Sequence, residues 1–586
     1  MAQTRSWRAQ AVIDRLPKKL SRQVVASLVG CVHCGMCTES CHYVLANPQD
    51  PTFAPAYKAD QLRKFFKRHY DWTGRVFPWW VKARSLHTDE DLEQLKDIAF
   101  GKCTNCRRCT LNCPMGVDIA TLNRLTRGLL THVGVMPEGV AVVSKDQWEI
   151  GNQMGVLRED YLETLEWVGE ELQDELQGFE GIPVDTMNAD VVFAINPREV
   201  KYDPRSISDA AKIFHHAGES WTMPSEGWDM TNFGLFSGDD ELGGAASRRL
   251  FEKVAELKGK RLVISECGHG YRSTRCEGQN WSQMDVAFEM ESHVLTMMRY
   301  IDEGRIRVDR SRNNVPVTFH DSCNNARSCG FYEEPRQLLN MVVTDFREMY
   351  PNRAENYCCT GGGGAMSMPE YTPRRLKSAR IKAEQLKATG AKVVVTSCHN
   401  CVDGLSDLIK HYKLDMQVTQ LVNLVAEALV PAQQTKHFDQ ATPGTVEPEV
   451  KPQEELPLTG YTVLVVDDEP DQLVFISMVL EDNGATVLTA TDGDTALRLA
   501  RAEKPDLMTL DLSMPGRSGL EVYGEIRGDP ELKRLRVCIV TGRPELRQVL
   551  YQQAVLPPEG YLDKPLDEER LLRNVRKIRA IAGARS

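Results

Sequence analysis

Cysteines dominate the residues of this 586-residue chain that could do chemistry, and most of its 17 cysteines fall into three groups. The first two groups share the spacing C-x2-C-x2-C-x3-C: Cys31, Cys34, Cys37 and Cys41, then Cys103, Cys106, Cys109 and Cys113. In bacterial ferredoxins such a run, followed by proline, surrounds a four-iron cubane with thiolates. Pro114 follows the second run, whereas His42 follows the first. Because the thiolates bind the iron, both runs predict a 4Fe-4S cubane cluster.

In two-cluster ferredoxins the fourth cysteine of each run binds the other run's cluster. We therefore expect two mixed sets of ligands: Cys31, Cys34, Cys37 and Cys113 for one cluster, and Cys103, Cys106, Cys109 and Cys41 for the other. The alternative is a pair of structural zinc sites, which also use C-x2-C spacing. Four closely spaced cysteines, present twice, favour clusters, which would transfer single electrons.

The third group is spread more widely and contains two adjacent cysteines. It comprises Cys323 in FHDSC, Cys358 and Cys359 in YCCTGGGG, and Cys398 and Cys401 in SCHNC. Adjacent cysteines cannot both bind one ion comfortably, but they suit a cluster whose irons are spread out. The glycines after the pair allow the backbone to approach a bulky inorganic group.

With NFGLF, ECGH and TFHDSCN, these motifs make residues from about 20 to 430 resemble the cysteine-rich CCG family of heterodisulfide reductases. Similar subunits occur in the sulfite-reductase-linked and high-molecular-weight-cytochrome membrane complexes. The resemblance implies that the third group holds a non-cubane 4Fe-4S cluster that reduces a disulfide or trisulfide. It also implies that Cys267 and His269 face this cluster, as a further thiol and a proton donor.

The chain departs from the family pattern at two positions. Thr360 stands where the family has glycine, and Gly270 stands where the first half of the domain would have a second thiolate. One non-cubane cluster is therefore expected, not two. Cys276 and Cys329 lie outside the pattern and are interpreted as ordinary thiols.

A different set of residues follows apolar runs near the C-terminus. Asp467 and Asp468 end VLVVDD, Asp511 ends LMTLD, Thr541 lies in CIVTG, and Lys564 lies in YLDKP. The carboxyl ends of parallel strands share one edge of a doubly wound sheet, so these side chains should converge. Residues 461–586 resemble the response-regulator receiver family.

The receiver resemblance implies a role for each of these residues. Asp511 would be phosphorylated by a histidine kinase, and Asp467 and Asp468 would bind Mg²⁺ with it. Thr541 and Lys564 would contact the phosphoryl group. Tyr561 occupies the position of a switch aromatic residue.

The elements that must position these residues predict a multidomain α/β protein. We expect an α-helical two-cluster ferredoxin-like domain at residues 1–130 and a duplicated CCG α/β domain whose halves are residues 185–310 and 311–430. A flexible linker rich in Pro, Gln and Glu should follow at residues 431–460, and a flavodoxin-like receiver domain at residues 461–586. The duplication is indicated by Cys267 after RLVISE and Cys398 after KVVVTS. The first half has lost most of its cysteines.

Composition excludes several classes of protein. The chain has 42% hydrophobic and 26% charged residues and a net charge of −11, so it is not expected to bind nucleic acid. No secretory leader and no apolar run of about 18 residues is evident. A cytoplasmic protein is expected, attached to the inner face of the membrane through partner subunits. Trp79 and Trp80 are expected to pack against the neighbouring domain, or alternatively to dock on a membrane subunit.

These features predict an iron–sulfur oxidoreductase subunit that passes electrons through two cubanes to a disulfide- or trisulfide-reducing cluster. Membrane-bound quinone-linked or cytochrome subunits would be its partners, and receiver phosphorylation would modulate it. One alternative is the iron–sulfur subunit of a glycolate, lactate or glycerol-phosphate dehydrogenase. Another is a redox sensor without catalytic activity.

Overall fold

The computed structural model describes residues 5–430, 458–541 and 558–564, with scattered positions from 566 to 579. Contacts divide the chain into two compact units, residues 1–437 and 438–586. Most of the predicted linker, residues 431–457, lies outside the described residues. Each unit is described separately.

The N-terminal unit begins with α-helices, which are α1 Trp7–Arg15, α2 Arg22–Val29, α3 Met36–Glu39, α4 His42–Ala46, α5 Pro55–Tyr70, α6 Trp72–Val76, α7 Asp89–Lys96, α8 Arg108–Leu111, α9 Ile119–Thr131, α10 Glu138–Glu149 and α11 Arg158–Glu175. Helix α9 directly follows the second cysteine run and buries Leu122, Leu129 and Leu130. Asp118 caps it by accepting a hydrogen bond from the Thr121 N–H at 3.0 Å, a contact that typically stabilises a helix by about 1 kcal/mol. The apolar core of this part therefore fixes the chain next to the cysteines.

An α/β region follows, with two parallel sheets. Its elements are β1 Val191–Ala194, α12 Pro197–Tyr202, α13 Pro204–His216, β2 Trp221–Thr222, α14 Gly234–Ser237, α15 Asp240–Glu256, β3 Arg261–Ile264, α16 Gly268–Tyr271, α17 Gly278–Ser282, β4 Glu289–Ser292, α18 His293–Asp302, β5 Val317–Phe319, α19 Glu334–Val342, α20 Thr372–Ser378, α21 Arg380–Thr389, β6 Val393–Val395, α22 His399–Tyr412, β7 Gln417–Thr419 and α23 Leu421–Ala428. The strand orders are β2-β1-β3-β4 and β5-β6-β7.

Short helical turns join these elements. The 3₁₀ turns are Leu16–Lys19, Pro51–Phe53, Arg310–Arg312, Arg353–Glu355, Ala365–Ser367 and Pro369–Tyr371, and the π turns are Asp97–Gly101, Arg272–Glu277 and Asn324–Ser328. Two of the π turns lie close behind the loops that carry Cys267 and Cys323. π turns are rare in proteins overall, and those that do occur are often found at functional sites.

The C-terminal unit is a doubly wound sheet. Its elements are β8 Thr462–Val466, α24 Pro470–Asp482, β9 Thr486–Ala490, α25 Gly493–Glu503, β10 Leu507–Asp511, α26 Gly519–Gly528, β11 Arg536–Thr541 and β12 Gly560–Asp563. The strands are parallel and lie in the order β12-β11-β10-β8-β9. This is the 2-1-3-4-5 order of flavodoxin-like folds, so the predicted α/β class is confirmed.

The segment after α6 corrects one expectation. Trp79 and Trp80 do not pack against a neighbouring domain, because 74% and 73% of their surfaces are exposed. With Trp72, Val76 and Phe77, which are also exposed, they form what we call the aromatic patch. The segment is held by backbone hydrogen bonds within its own turns, such as Trp80 N–H to the Phe77 carbonyl at 3.1 Å.

No helix in the described ranges combines the length and apolar character needed to cross a bilayer.

Candidate functional site

Four cysteines line one small cavity of the helical region, and we call them the outer quartet: Cys31, Cys34, Cys37 and Cys113. Gly35, with φ +87°, turns the chain into α3, which carries Cys37. Cys34 is exposed, and Cys37 is buried. Burial, together with the nearby Cys31 and Cys113, raises the pKa of Cys37. The cavity combines three cysteines of the first run with the last cysteine of the second.

A second cavity is lined by the complementary set, the inner quartet: Cys41, Cys103, Cys106 and Cys109. Burial raises the pKa of Cys109, and the neighbouring thiols add to this effect, while the Lys58 ammonium opposes it. The backbone N–H of Asn105 donates to Cys103 Sγ at 3.4 Å. Four thiols around one cavity are the donor set of a cubane cluster.

His42 adjoins the inner quartet. It is buried next to Cys106, where Cys358 and burial raise the pKa of the Cys106 thiol and His42 opposes this rise. The sequence shows His42 only as a replacement for proline. Its contact with a cysteine more than 60 residues away depends on the fold.

The third cysteine group forms a continuous row of buried thiols, which we call the CCG thiols: Cys323, Cys358, Cys359, Cys401 and Cys398. Cys359 Sγ lies 3.2 Å from Cys401 Sγ. Cys358 hydrogen-bonds Cys323, and Cys401 hydrogen-bonds Cys398. Hydrogen bonds from Cys358 and Cys401 hold the pKa of Cys359 well below its usual value. This favours the thiolate, the form that binds metals.

Two adjacent parallel strands bring the CCG thiols together. Cys323 follows β5, and Cys398 follows β6 and immediately precedes α22, whose first turn carries Cys401. The carboxyl ends of the strands lie at one edge of the sheet, so cysteines distant in sequence meet there. A ligand atom of His320 lies within 4.8 Å of those of Cys359 and Cys401.

The loop after the cysteine pair fits closely against its surroundings. Gly361 packs against the Asn400 carbonyl, and Gly363, with φ +67°, packs against the Thr104 carbonyl, so a side chain at either position would overlap backbone. Thr360 also has φ +67°. This conformation is uncommon for a β-branched residue, which explains the glycine in the family pattern.

Cys358 also contacts the inner quartet. Its thiol hydrogen-bonds Cys106, and Thr104 Oγ1 lies 3.4 Å from Cys358 Sγ. The fully buried Arg127 ties the two loops together, donating to the Cys103 carbonyl at 2.6 Å and to the Gly363 carbonyl at 2.7 Å. The inner quartet and the CCG thiols are therefore directly adjacent.

The first half of the α/β region contributes Cys267 and His269 from the opposite side. Cys267 hydrogen-bonds Cys398 and lies 3.2 Å from His269 Nδ1. Asn400 Nδ2 lies 3.2 Å from the same nitrogen. Among the described residues, the buried Nε2 of His269 has no hydrogen-bond partner. A side chain at position 270 would meet the Met230 side chain, which would have to move.

Burial lowers the pKa of His269 to about 4. The imidazole is therefore neutral at neutral pH and holds one proton.

Lys382 is fully buried and donates a hydrogen bond to Asn356 Oδ1 at 2.5 Å. Asn356 Nδ2 in turn lies 3.2 Å from His320 Nδ1. Burial lowers the pKa of Lys382 to about 7. Lys382 was missed by sequence reasoning, because nothing in its helix distinguishes it from a surface lysine.

A cavity of about 610 Å³ reaches the loop of the CCG thiols, and it is lined by residues that include Gly361, Gly364, Asn400, Arg198 and Phe236. Asn400 links it to His269, as described above. Arg198 lies at its wall and forms an ion pair with Asp403 at 2.6 Å. Cavities of this size accept small organic ligands.

The receiver residues converge at the switch point of the C-terminal sheet, between β8 and β10. Ligand oxygens of Asp467, Asp468 and Asp511 lie within 4.8 Å of one another, an oxygen donor set that suits Mg²⁺. Lys564 Nζ lies 2.7 Å from Asp511 Oδ2 and 2.9 Å from Asp467 Oδ2. Burial raises the pKa of Asp467, although Lys564 opposes this.

Thr541 ends β11 and is buried. The backbone of Tyr561 lies in β12, but its side chain falls outside the described residues.

Three families match consecutive parts of the chain. Residues 27–117 match the 4Fe-4S dicluster domain, residues 317–405 the cysteine-rich CCG domain, and residues 463–576 the response regulator receiver domain. The first two matches contain both quartets and the five CCG thiols. The match to a 4Fe-4S dicluster domain favours iron–sulfur clusters over the zinc alternative.

Individual relatives agree. The Hdr-like menaquinol oxidoreductase iron-sulfur subunit 2 of Archaeoglobus fulgidus is 26% identical, over 72% of this chain and 82% of the relative. One polypeptide of the dihydromethanophenazine:CoB--CoM heterodisulfide reductase of Methanosarcina mazei is 25% identical, over 70% of this chain and 96% of the relative. Protein PilH of Pseudomonas aeruginosa is 34% identical, over 20% of this chain and 97% of the relative.

The fold and the cysteine sites thus define an iron–sulfur protein of the oxidoreductase type. More particularly, the chain carries CCG and 4Fe-4S dicluster domains and is similar to Hdr-like iron–sulfur subunits, and its C-terminal unit belongs to the response regulator receiver family. The predicted relationship is confirmed.

Proposed function

We propose that this subunit carries electrons from a membrane-bound, quinone-linked or cytochrome partner to the CCG thiols, where a disulfide or trisulfide is reduced. The observation that carries the proposal is the contact between the loop of the inner quartet and the CCG thiols, where Thr104 Oγ1 lies 3.4 Å from Cys358 Sγ and Arg127 bonds both loops. Sites in contact permit electron transfer without a further carrier. The outer quartet, with its exposed Cys34, is the side that a partner can approach.

The residues fit three iron–sulfur groups. Each quartet offers four thiols to one cubane, and the five CCG thiols, two of them adjacent, offer a donor set for one non-cubane cluster. When bound, such clusters supply one-electron transfer and a site that retains half-reduced sulfur between two electron transfers. His269, whose Nδ1 lies 3.2 Å from Cys267 Sγ, is the buried imidazole next to these thiols.

The cavity at Gly361 and Asn400 supports a sulfur substrate at this site. Its 610 Å³ volume accommodates a small disulfide. The names of the two Hdr-like relatives contain menaquinol oxidoreductase and heterodisulfide reductase, which supports both a quinol-linked partner and a disulfide substrate for this chain.

The direct test is to isolate the chain anaerobically with its associated subunits and assay it. We expect about twelve irons per chain, four for each cluster, and reduction of a disulfide or trisulfide by an artificial low-potential donor. About eight irons and no turnover of any disulfide, trisulfide or persulfide would contradict the proposal. Copurification distinguishes the alternatives, because a catalytic subunit should bring redox proteins and a sensor should bring a kinase.

The aromatic patch is proposed as the docking surface for the membrane partner. Basic residues accompany the patch. Burial lowers the pKa of His33, and the charges of Arg63, Lys67 and Lys82 lower it further. His33 lies in the loop of the outer quartet. Lys82, two residues after the patch, is therefore near enough to the loop of the outer quartet to act on it electrostatically.

We expect the double variant Trp79→Ser/Trp80→Ser to lose its membrane partner. A tryptophan at an interface can contribute about 2 kcal/mol or more to the binding free energy, which is about a thirtyfold change in Kd for each residue removed. The measurement is the fraction of the chain recovered with membranes or associated subunits. Trp167→Ser, at a half-exposed tryptophan of α11, should leave recovery unchanged. Equal recovery of the double variant and the parent would refute docking at the patch.

A further inference from the structure

Two cysteines outside all three cluster sites meet at the protein surface. Cys276 Sγ lies 3.6 Å from Cys329 Sγ. Cys276 is exposed and Cys329 is half-buried. The two sulfurs are in van der Waals contact, and a bond of about 2 Å requires only side-chain rotation and a small movement. These two residues, interpreted from the sequence as ordinary thiols outside the cluster pattern, therefore lie side by side.

The pair is held by the two π turns of the α/β region. Cys276 lies within Arg272–Glu277, and Cys329 immediately follows Asn324–Ser328. Arg272 Nη1 donates to Asn324 Oδ1 at 3.2 Å, which joins the turns. The sulfurs are thus kept together by structure that is independent of either thiol.

The surroundings favour reaction at Cys276. A hydrogen bond from Cys329 lowers the pKa of Cys276 to about 7, and the charges of Arg272 and Arg275 act in the same direction, while burial and Glu277 oppose them. A thiolate that is accessible and flanked by a second thiol is the arrangement of thiol–disulfide exchange sites. Of the two arginines, Arg275 is exposed and suits an anionic disulfide.

We propose that Cys276 and Cys329 form a surface thiol–disulfide exchange site whose substrates are external disulfides. The Cys276 thiolate attacks one sulfur of the external disulfide, forming a mixed disulfide and releasing the other half as a thiol. Cys329 then attacks Cys276 Sγ, which forms the Cys276–Cys329 disulfide and releases the second thiol. Two electrons and two protons pass from the pair to the external disulfide, and an external dithiol reverses the reaction. The site requires no cluster, so it stands or falls separately from the proposed reductase function.

The test uses the full chain isolated anaerobically with its clusters and equilibrated with glutathione disulfide and glutathione in defined ratios. After alkylation and proteolysis, mass spectrometry should find the Cys276–Cys329 disulfide, fully reversible with dithiothreitol, while visible absorbance shows the clusters intact. In Cys329→Ser, Cys276 should accumulate as a stable mixed disulfide with glutathione. In Cys276→Ser, the half-buried Cys329 should form much less mixed disulfide under the same conditions.

The matched control is Cys538→Ala, in which a buried receiver cysteine is removed and the disulfide should form as in the parent. Retained cluster absorbance shows that each variant is folded. The proposal is overturned if both thiols of the parent remain alkylatable at the most oxidising ratio with clusters intact. It is equally overturned if Cys276 and Cys329 react with glutathione independently and never with each other.

Discussion

Cys359→Ser should abolish disulfide reduction and leave electron uptake by the two quartets intact. Cys359 lies between Cys358 and Cys401 in the row of CCG thiols, and a hard alkoxide there is a poor replacement for a soft thiolate. We expect the iron content to fall from about twelve to about eight per chain. Turnover with an artificial donor should fall by more than about 100-fold, the upper end of effects seen for residues that only support metal ligands.

The result is informative because each quartet keeps its four thiols in this variant. Reduction of the cubanes, followed by visible and paramagnetic resonance spectra, should match the parent. Cys538→Ala again serves as the control, since this cysteine lies in the receiver core and should affect neither iron content nor turnover. Full disulfide reductase activity in Cys359→Ser would show that the CCG thiols are not the reducing site.

Local spacing explains why the cysteine sites were predictable. The ferredoxin runs place three ligands within seven residues, and the receiver acids follow apolar strands whose ends must share one edge. In the first case a short segment supplies most of the ligands, and in the second the topology of a parallel sheet brings separate segments together. Fold class follows for the same reason, because alternating strands and helices leave few arrangements of a parallel sheet.

The remaining features depend on contacts between distant segments. Arg127 and Lys382 look like ordinary helix residues, yet one ties Cys103 to Gly363 and the other is buried beside Asn356. Helices α10 and α11 fill residues that the sequence left without a structural assignment. The exposure of Trp79 and the meeting of Cys276 with Cys329 are likewise properties of the folded chain.

Asp511→Asn should reduce phosphoryl incorporation from acetyl phosphate and Mg²⁺ to background. The Asp511 carboxylate ends β10, where Oδ2 lies 2.7 Å from Lys564 Nζ and Oδ1 accepts a hydrogen bond from the Ser513 N–H, and a carboxylate oxygen held in this way can attack the phosphorus of an acyl phosphate. Asparagine preserves the shape but removes this nucleophile and one charge of the metal-binding group. Asp467 and Asp468 are unchanged in this variant and would still attract Mg²⁺. The variant lacks a carboxylate that could accept the phosphoryl group. Intact-mass spectrometry of the full chain measures the outcome.

Asp494→Asn is the matched control for this variant. Asp494 is an exposed acid of the same unit, paired with Arg517 at 2.6 Å, and exposed pairs contribute little to stability. It should be phosphorylated like the parent. The same three proteins also test modulation of the reductase: any change in turnover caused by acetyl phosphate should appear in the parent and in Asp494→Asn and be absent in Asp511→Asn. If Asp511→Asn incorporates as much phosphate as the parent, Asp511 is not the acceptor. If acetyl phosphate changes turnover in Asp511→Asn although no phosphate is incorporated, phosphorylation of the receiver is not the cause of that change.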